Sequence, residues 1–109
     1  MPDVHAVMRP AQPEDAAGIQ ALFTDEEESF RVYPEGQFPL TVDQVERLIK
    51  KRTEPTVLEI DGRIAGFSGL YSYKEGSSAF IGNVIIDRQF RGRGLGKQLM
   101  EYMIDRGFR

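Results

Sequence analysis

Along the chain the apolar positions change period, and each change marks an element. Ala16, Ile19, Leu22 and Phe23 recur at helical spacing behind Gln12-Pro13-Glu14-Asp15, where a proline at the first helical position and acids in the first turn predict a helix start. Val45, Leu48 and Ile49 form a second stripe behind Thr41-Val42-Asp43-Gln44, which has capping-box spacing, with Leu40 and Val45 placed as a hydrophobic staple. The pattern then turns strand-like. Residues 56–60 and 64–70 flank Asp61-Gly62, the two-residue signal of a type I′ hairpin. Residues 74–78 turn the chain into a further β-branched run, Phe80-Ile81-Gly82-Asn83-Val84-Ile85-Ile86, and Met8-Arg9-Pro10-Ala11 reads as a short strand ahead of everything else. From Leu95 the period is helical again, through Leu99, Tyr102 and Met103.

Composition narrows the class of protein. A chain of 109 residues with 40% hydrophobic content can bury one modest core, and no repeat, low-complexity segment or linker divides it. The net charge of −3 argues against a general nucleic-acid binder despite the local Arg88, Arg91 and Arg93, because backbone affinity needs a broad basic face. There is no cysteine, which removes disulfides, thiolate metal sites and a cysteine nucleophile. The N-terminal residues lack the basic-then-apolar order of a secretion signal, and no run approaches membrane-spanning length, so a cytoplasmic protein without a membrane partner is expected. His5, the single histidine, lies near a terminus expected to fray, which speaks against a catalytic role.

The chemistry concentrates between the last strand and the last helix. Arg91-Gly92-Arg93-Gly94-Leu95-Gly96 places three glycines and two arginines at a helix start, where unpartnered backbone N–H groups and the helix dipole favour a phosphate. A Walker A loop is excluded, since Gly96-Lys97 is followed by Gln98 and Arg91 occupies the first-glycine position. A dinucleotide fingerprint read from Gly92 finds Lys97 where its third glycine belongs. What remains is Arg-x-x-Gly-x-Gly, read as Arg91, Gly94 and Gly96.

That motif, after an apolar strand late in an α/β segment, resembles the acetyl-coenzyme A loop of the GCN5-related N-acetyltransferases (GNAT). The resemblance runs through most of the chain. It implies an α/β (α+β) fold with a mixed, mainly antiparallel sheet flanked by helices, ordered strand, two helices, three strands, then the glycine loop and its helix. It implies acetyl-coenzyme A as the cofactor and direct transfer of its acetyl group to a primary amine of a small molecule or peptide. In the family, the strand before the loop bulges and its backbone binds the pantetheine arm like an added strand. Carried over, Val84, Ile85 and Ile86 would lie along the arm, Gly82 and Asn83 would supply the irregularity, and Arg91, Gly92, Arg93, Gly94, Leu95 and Gly96 would wrap the pyrophosphate.

The resemblance also sets expectations about what is missing. The family continues into a fifth strand, a further helix and a closing hairpin, and usually draws from them a tyrosine that protonates the departing thiolate. Residues 1–109 are therefore expected to form a single, C-terminally incomplete GNAT domain, with no assignable general acid or base; Tyr102 reads more simply as a core residue. The uncovered edge at residues 80–86 is expected to pair with a second copy as a homodimer, or with another chain. A coenzyme A-binding module without turnover is the alternative function, and a nucleotide- or RNA-phosphate-binding domain a third. On the acceptor side, Asp25-Glu26-Glu27-Glu28 follows the first predicted helix, with Phe30 and Tyr33 close behind. Two readings stand for Glu27, Glu28, Phe30 and Tyr33: a wall for a cationic amine, as this connection often is in the family, or a solvated acidic loop with two packing aromatics.

Overall fold

Alternation along the strands decides which side chains meet which helices. The structure, a computed structural model, describes residues 6–74 and 78–107. Four strands, β1 (Ala6–Pro10), β2 (Thr53–Ile60), β3 (Arg63–Lys74) and β4 (Ser78–Ile86), form an antiparallel sheet in the order β1-β2-β3-β4. Three helices, α1 (Ala16–Gln20), α2 (Glu26–Val32) and α3 (Val42–Lys51), lie between β1 and β2, and α4 (Leu95–Gly107) follows β4. Val57, Phe67 and Ile85 point to one face, where they pack with Ile19, Leu22, Val45 and Leu48. Their neighbours Leu58 and Ile86 point to the other, against Leu95, Leu99 and Met103 of α4. Strong apolarity in both phases of the alternation is thus explained by helices on both faces.

Local signals explain most boundaries. Asp61 and Gly62 both take positive φ (52° and 77°), as a type I′ turn requires, and Ile60 pairs with Arg63 across it. Thr41 caps α3 by accepting from the Gln44 backbone N–H at 3.2 Å, and Leu40 and Val45 are buried in the same cluster. The reciprocal half of the expected capping box does not form, because the Gln44 side chain bonds both the N–H and the carbonyl of Gln37. The first predicted helix is also shorter than its apolar pattern: a 3-10 turn at Pro13–Asp15 precedes a single α-helical stretch, and Asp15 is drawn into a fork with Arg9 at 2.8 Å on each arm. That guanidinium holds the Asp15 carboxyl below its ordinary pKa.

The largest departure concerns the acidic run. Instead of a loop beyond a helix end, residues 25–28 begin α2: Asp25 is its N-cap, accepting from the Glu28 N–H at 2.8 Å, and three glutamates fill the first turn. Negative charge is favoured at that end of the dipole, so the acidic run is what starts this helix. The turn expected at residues 74–78 lies partly outside the described residues, as do His5 and the last two residues of the chain.

Candidate active site

The register of β4 breaks at Asn83, one of the two residues expected to supply the irregularity, while Gly82 keeps a partner. Phe67 pairs with Ile85 and Gly69 with Gly82, so Asn83 and Val84 together stand opposite Ser68. This is a β-bulge, with Asn83 at φ 57° and only 8% exposed. The Asn83 side chain fixes it: its Nδ2 donates to the Val32 carbonyl at the end of α2 (2.9 Å), and its Oδ1 accepts from Arg52 Nε (2.6 Å). Ser68 Oγ donates to the Gly82 carbonyl at 3.1 Å, tying the opposite strand to the same kink. Among the described residues no further strand pairs with the outer edge of β4.

Beyond Ile86 the chain makes an unforeseen 3-10 turn, Arg88–Phe90, capped by Asp87, and then enters the glycine loop. Gly92 and Gly94 have φ of 80° and 77°, and nothing lies within 4 Å of where a Cβ would stand on either. The backbone there requires glycine, and the space in front of it is open. The Gly94 carbonyl accepts from the Gln98 N–H at 3.1 Å, which makes it the first rung of α4 and leaves the N–H groups of the first turn without intrahelical partners.

Bulge, loop and α2 enclose a groove of about 330 Å³. Of the residues expected to hold the cofactor, Val84, Ile85, Ile86, Arg91, Gly92 and Gly96 line it together. The other three stand apart: Arg93 lies over the Phe90 ring at 5.8 Å, Gly94 caps α4, and Leu95 is 2% exposed in the core. Glu28, expected on the acceptor side, lines the same groove and takes both arms of the Arg91 guanidinium, at 2.6 and 2.7 Å. Arg91 Nε donates to the Ile86 carbonyl at 2.8 Å, so all three guanidinium nitrogens are held by the protein. The Glu28 hydrogen bonds raise the Arg91 pKa above its ordinary value.

The other acceptor candidates separate. Glu27 is exposed and lines none of the grooves described here, Phe30 is 67% exposed beside a shallow groove with Gly36 and Phe38, and Tyr33 packs against the core. Tyr102 lines none of these grooves; its hydroxyl accepts from Arg106 at 2.7 and 3.1 Å. Sequence reasoning missed Val32 and Phe90 in the lining of the groove and the anchoring role of Asn83. For Asn83 a signal existed, since a Gly-Asn pair inside a β-branched run marks a kink.

Among the described residues no helix is long and apolar enough to cross a membrane, and none group as a metal site. Sequence comparison with curated proteins returned no match. Among solved structures, an acetyltransferase from Thermus thermophilus is similar over 100% of this chain and 75% of its own, with 23% identity and a TM-score of 0.75. A GNAT family acetyltransferase from Brucella melitensis, solved in complex with acetyl-CoA, is 24% identical over 94% of this chain and 68% of its own, with a TM-score of 0.66. N-acetylglutamate synthase from Neisseria gonorrhoeae, solved with coenzyme A and L-arginine, is 21% identical over 96% of this chain, with a TM-score of 0.69; the chain spans only 22% of that protein's length. At these identities the likeness is one of fold. Residues 19–109 match the family model described as the acetyltransferase (GNAT) family, and the chain belongs to that family.

Proposed function

We propose that the chain binds acetyl-coenzyme A in the groove between β4 and α4 and transfers its acetyl group directly to a primary amine. The observation that carries this reading is the pairing of the bulge at Asn83 and Val84 with the open glycine start of α4 along one groove. The parts fit the ligand. The space in front of Gly92 and Gly94 accepts a pyrophosphate against unpartnered N–H groups, and the outer edge of Val84, Ile85 and Ile86, which no described strand pairs, can take a pantetheine arm as an added strand. Because Glu28 offsets the Arg91 charge, the backbone N–H groups at the start of α4 carry the phosphate attraction, while Arg91 braces the loop against Ile86.

Bound in this way, the thioester supplies an activated acetyl group. The amine nitrogen forms the new C–N bond as the C–S bond breaks; the amine gives up one proton and the thiolate takes one. A β4 backbone N–H facing the groove would stabilise the developing oxyanion. One observation supports a second reading, a coenzyme A holder without turnover: among the described residues, the only ionisable groups lining this groove are Glu28 and Arg91, which are paired. Thiol release over a panel of amines separates the two readings.

Gly94→Val tests the site itself. A β-branched residue at φ 77° is strained and fills the open space in front of the start of α4, so calorimetry should show coenzyme A binding abolished while circular dichroism stays native. Unchanged affinity would overturn the assignment.

A further inference from the structure

The bulge opens a second groove on its other side, of about 660 Å³, and its charge differs from that of the molecule. Among the described residues, Arg31, Lys51 and Arg52 line it with one carboxylate, Glu35, in a chain of net charge −3. Lys51 Nζ is paired with Glu35 at 2.8 Å, with both side chains more than half exposed. Arg31 makes no ion pair among the described residues. The placement of Arg52 is constrained: its stem crosses Gly69, where an added Cβ would come within 2.8 Å, and its Nε is held by Asn83. Val32 and Val84 line both grooves, so the cationic groove abuts the segment along which the thioester would lie.

We infer that the acceptor is an amine that also carries a carboxylate, an amino acid in chemical class, held with its carboxylate on Arg31 and the Arg52 side of this groove. The inference rests on the acetyl-transfer reading above and narrows its substrate. Planar guanidinium groups match a carboxylate through paired donors. Surrounding cations also disfavour the ammonium form, and only the neutral amine can attack a thioester. A polyamine or other cationic acceptor would instead face Arg31, which makes no ion pair among the described residues. The glutamates expected to attract such an acceptor serve elsewhere: Glu28 is bound to Arg91 in the other groove, and Glu27 is exposed outside both.

The test has two readouts on the 109-residue chain, with amino acids, their carboxamides and simple diamines as probes. In the first, NMR titration with coenzyme A present measures binding alone. Amino acids should bind at least about tenfold more tightly than their amides. Arg31→Gln should remove most of that preference and Arg31→Lys restore part of it, with coenzyme A affinity unchanged. In the second, thiol release with acetyl-coenzyme A should show the same order in kcat/KM, with the Arg31→Gln loss mainly in KM. Equal binding of acids and amides, no binding of any probe, or an Arg31→Gln variant that keeps the preference overturns the carboxylate assignment, whatever the turnover. Carboxylate-selective binding without thiol release sustains the groove and overturns the transfer reading instead.

Discussion

Glu28 and Arg91 are 63 positions apart in the chain, and their contact changes what each does. An arginine in a glycine loop invites assignment to phosphate, and an acid near a helix end invites assignment to an amine. Brought together, they neutralise each other and tie α2 to the loop. Glu28→Gln should therefore strengthen coenzyme A binding, because Arg91 keeps its bond to the Ile86 carbonyl while regaining an uncompensated charge beside the phosphates. The pair is partly solvated, with Arg91 37% exposed, so the gain should be modest, about 0.5–1 kcal/mol, and should shrink as salt is raised. Glu27→Gln, exposed and outside the groove, should leave affinity unchanged. Calorimetry at two salt concentrations checks both, and weaker binding in Glu28→Gln would show that the pair organises the loop rather than competing with the ligand. Neither role could be read in the sequence, where no local spacing links the two residues.

Among the elements, the strands, the hairpin, α3 and α4 were legible because each carries its own signal: alternation, Asp61-Gly62, a Thr41 cap, a stripe from Leu95. The glycine loop and the bulge were legible for the same reason. The start of α2 was not, since residues 25–28 are equally an acidic loop until Asp25 is seen capping Glu28. The cationic groove was illegible because Arg31 of α2 meets Lys51 and Arg52, neighbours at the end of α3, only through tertiary packing. The element on which both grooves depend is the bulge, and its weak point is Asn83. Asn83→Ala removes two hydrogen bonds, leaves the Val32 carbonyl and Arg52 Nε without these partners, and places a Cβ residue at φ 57°. Asn83→Gly loses the same hydrogen bonds but relieves the backbone. We expect Asn83→Ala to cost about 2–3 kcal/mol and Asn83→Gly somewhat less, by urea unfolding. Both variants should weaken coenzyme A binding, since the kink that frees the β4 edge is no longer held. An Asn83→Ala variant of wild-type stability would mean that the bulge is fixed by Ser68 and the register alone.

At the scale of the molecule, helices cover both faces of the sheet, and the described strands leave β4 with an open outer edge. From Ile81 to Ile86 that strand carries no charge and ends in three β-branched residues, the composition that natural sheets avoid leaving unpaired. Two occupants suit it. A second copy can pair there strand to strand, or the pantetheine arm can. They compete for the same N–H and carbonyl groups along Val84, Ile85 and Ile86, so dimerisation and coenzyme A binding in the 109-residue chain should be antagonistic. Light scattering without ligand should show mass rising towards a dimer with concentration, and saturating coenzyme A should return it to the monomer mass. Coenzyme A affinity should correspondingly weaken as protein concentration rises, because linkage between two ligands of one site is reciprocal. Placing a lysine on this edge by Val84→Lys should block pairing, at the cost of disturbing the groove that Val84 lines. A monomer at every concentration without ligand, or a dimer that persists in saturating coenzyme A, would show that the β4 edge is not where copies of this chain meet.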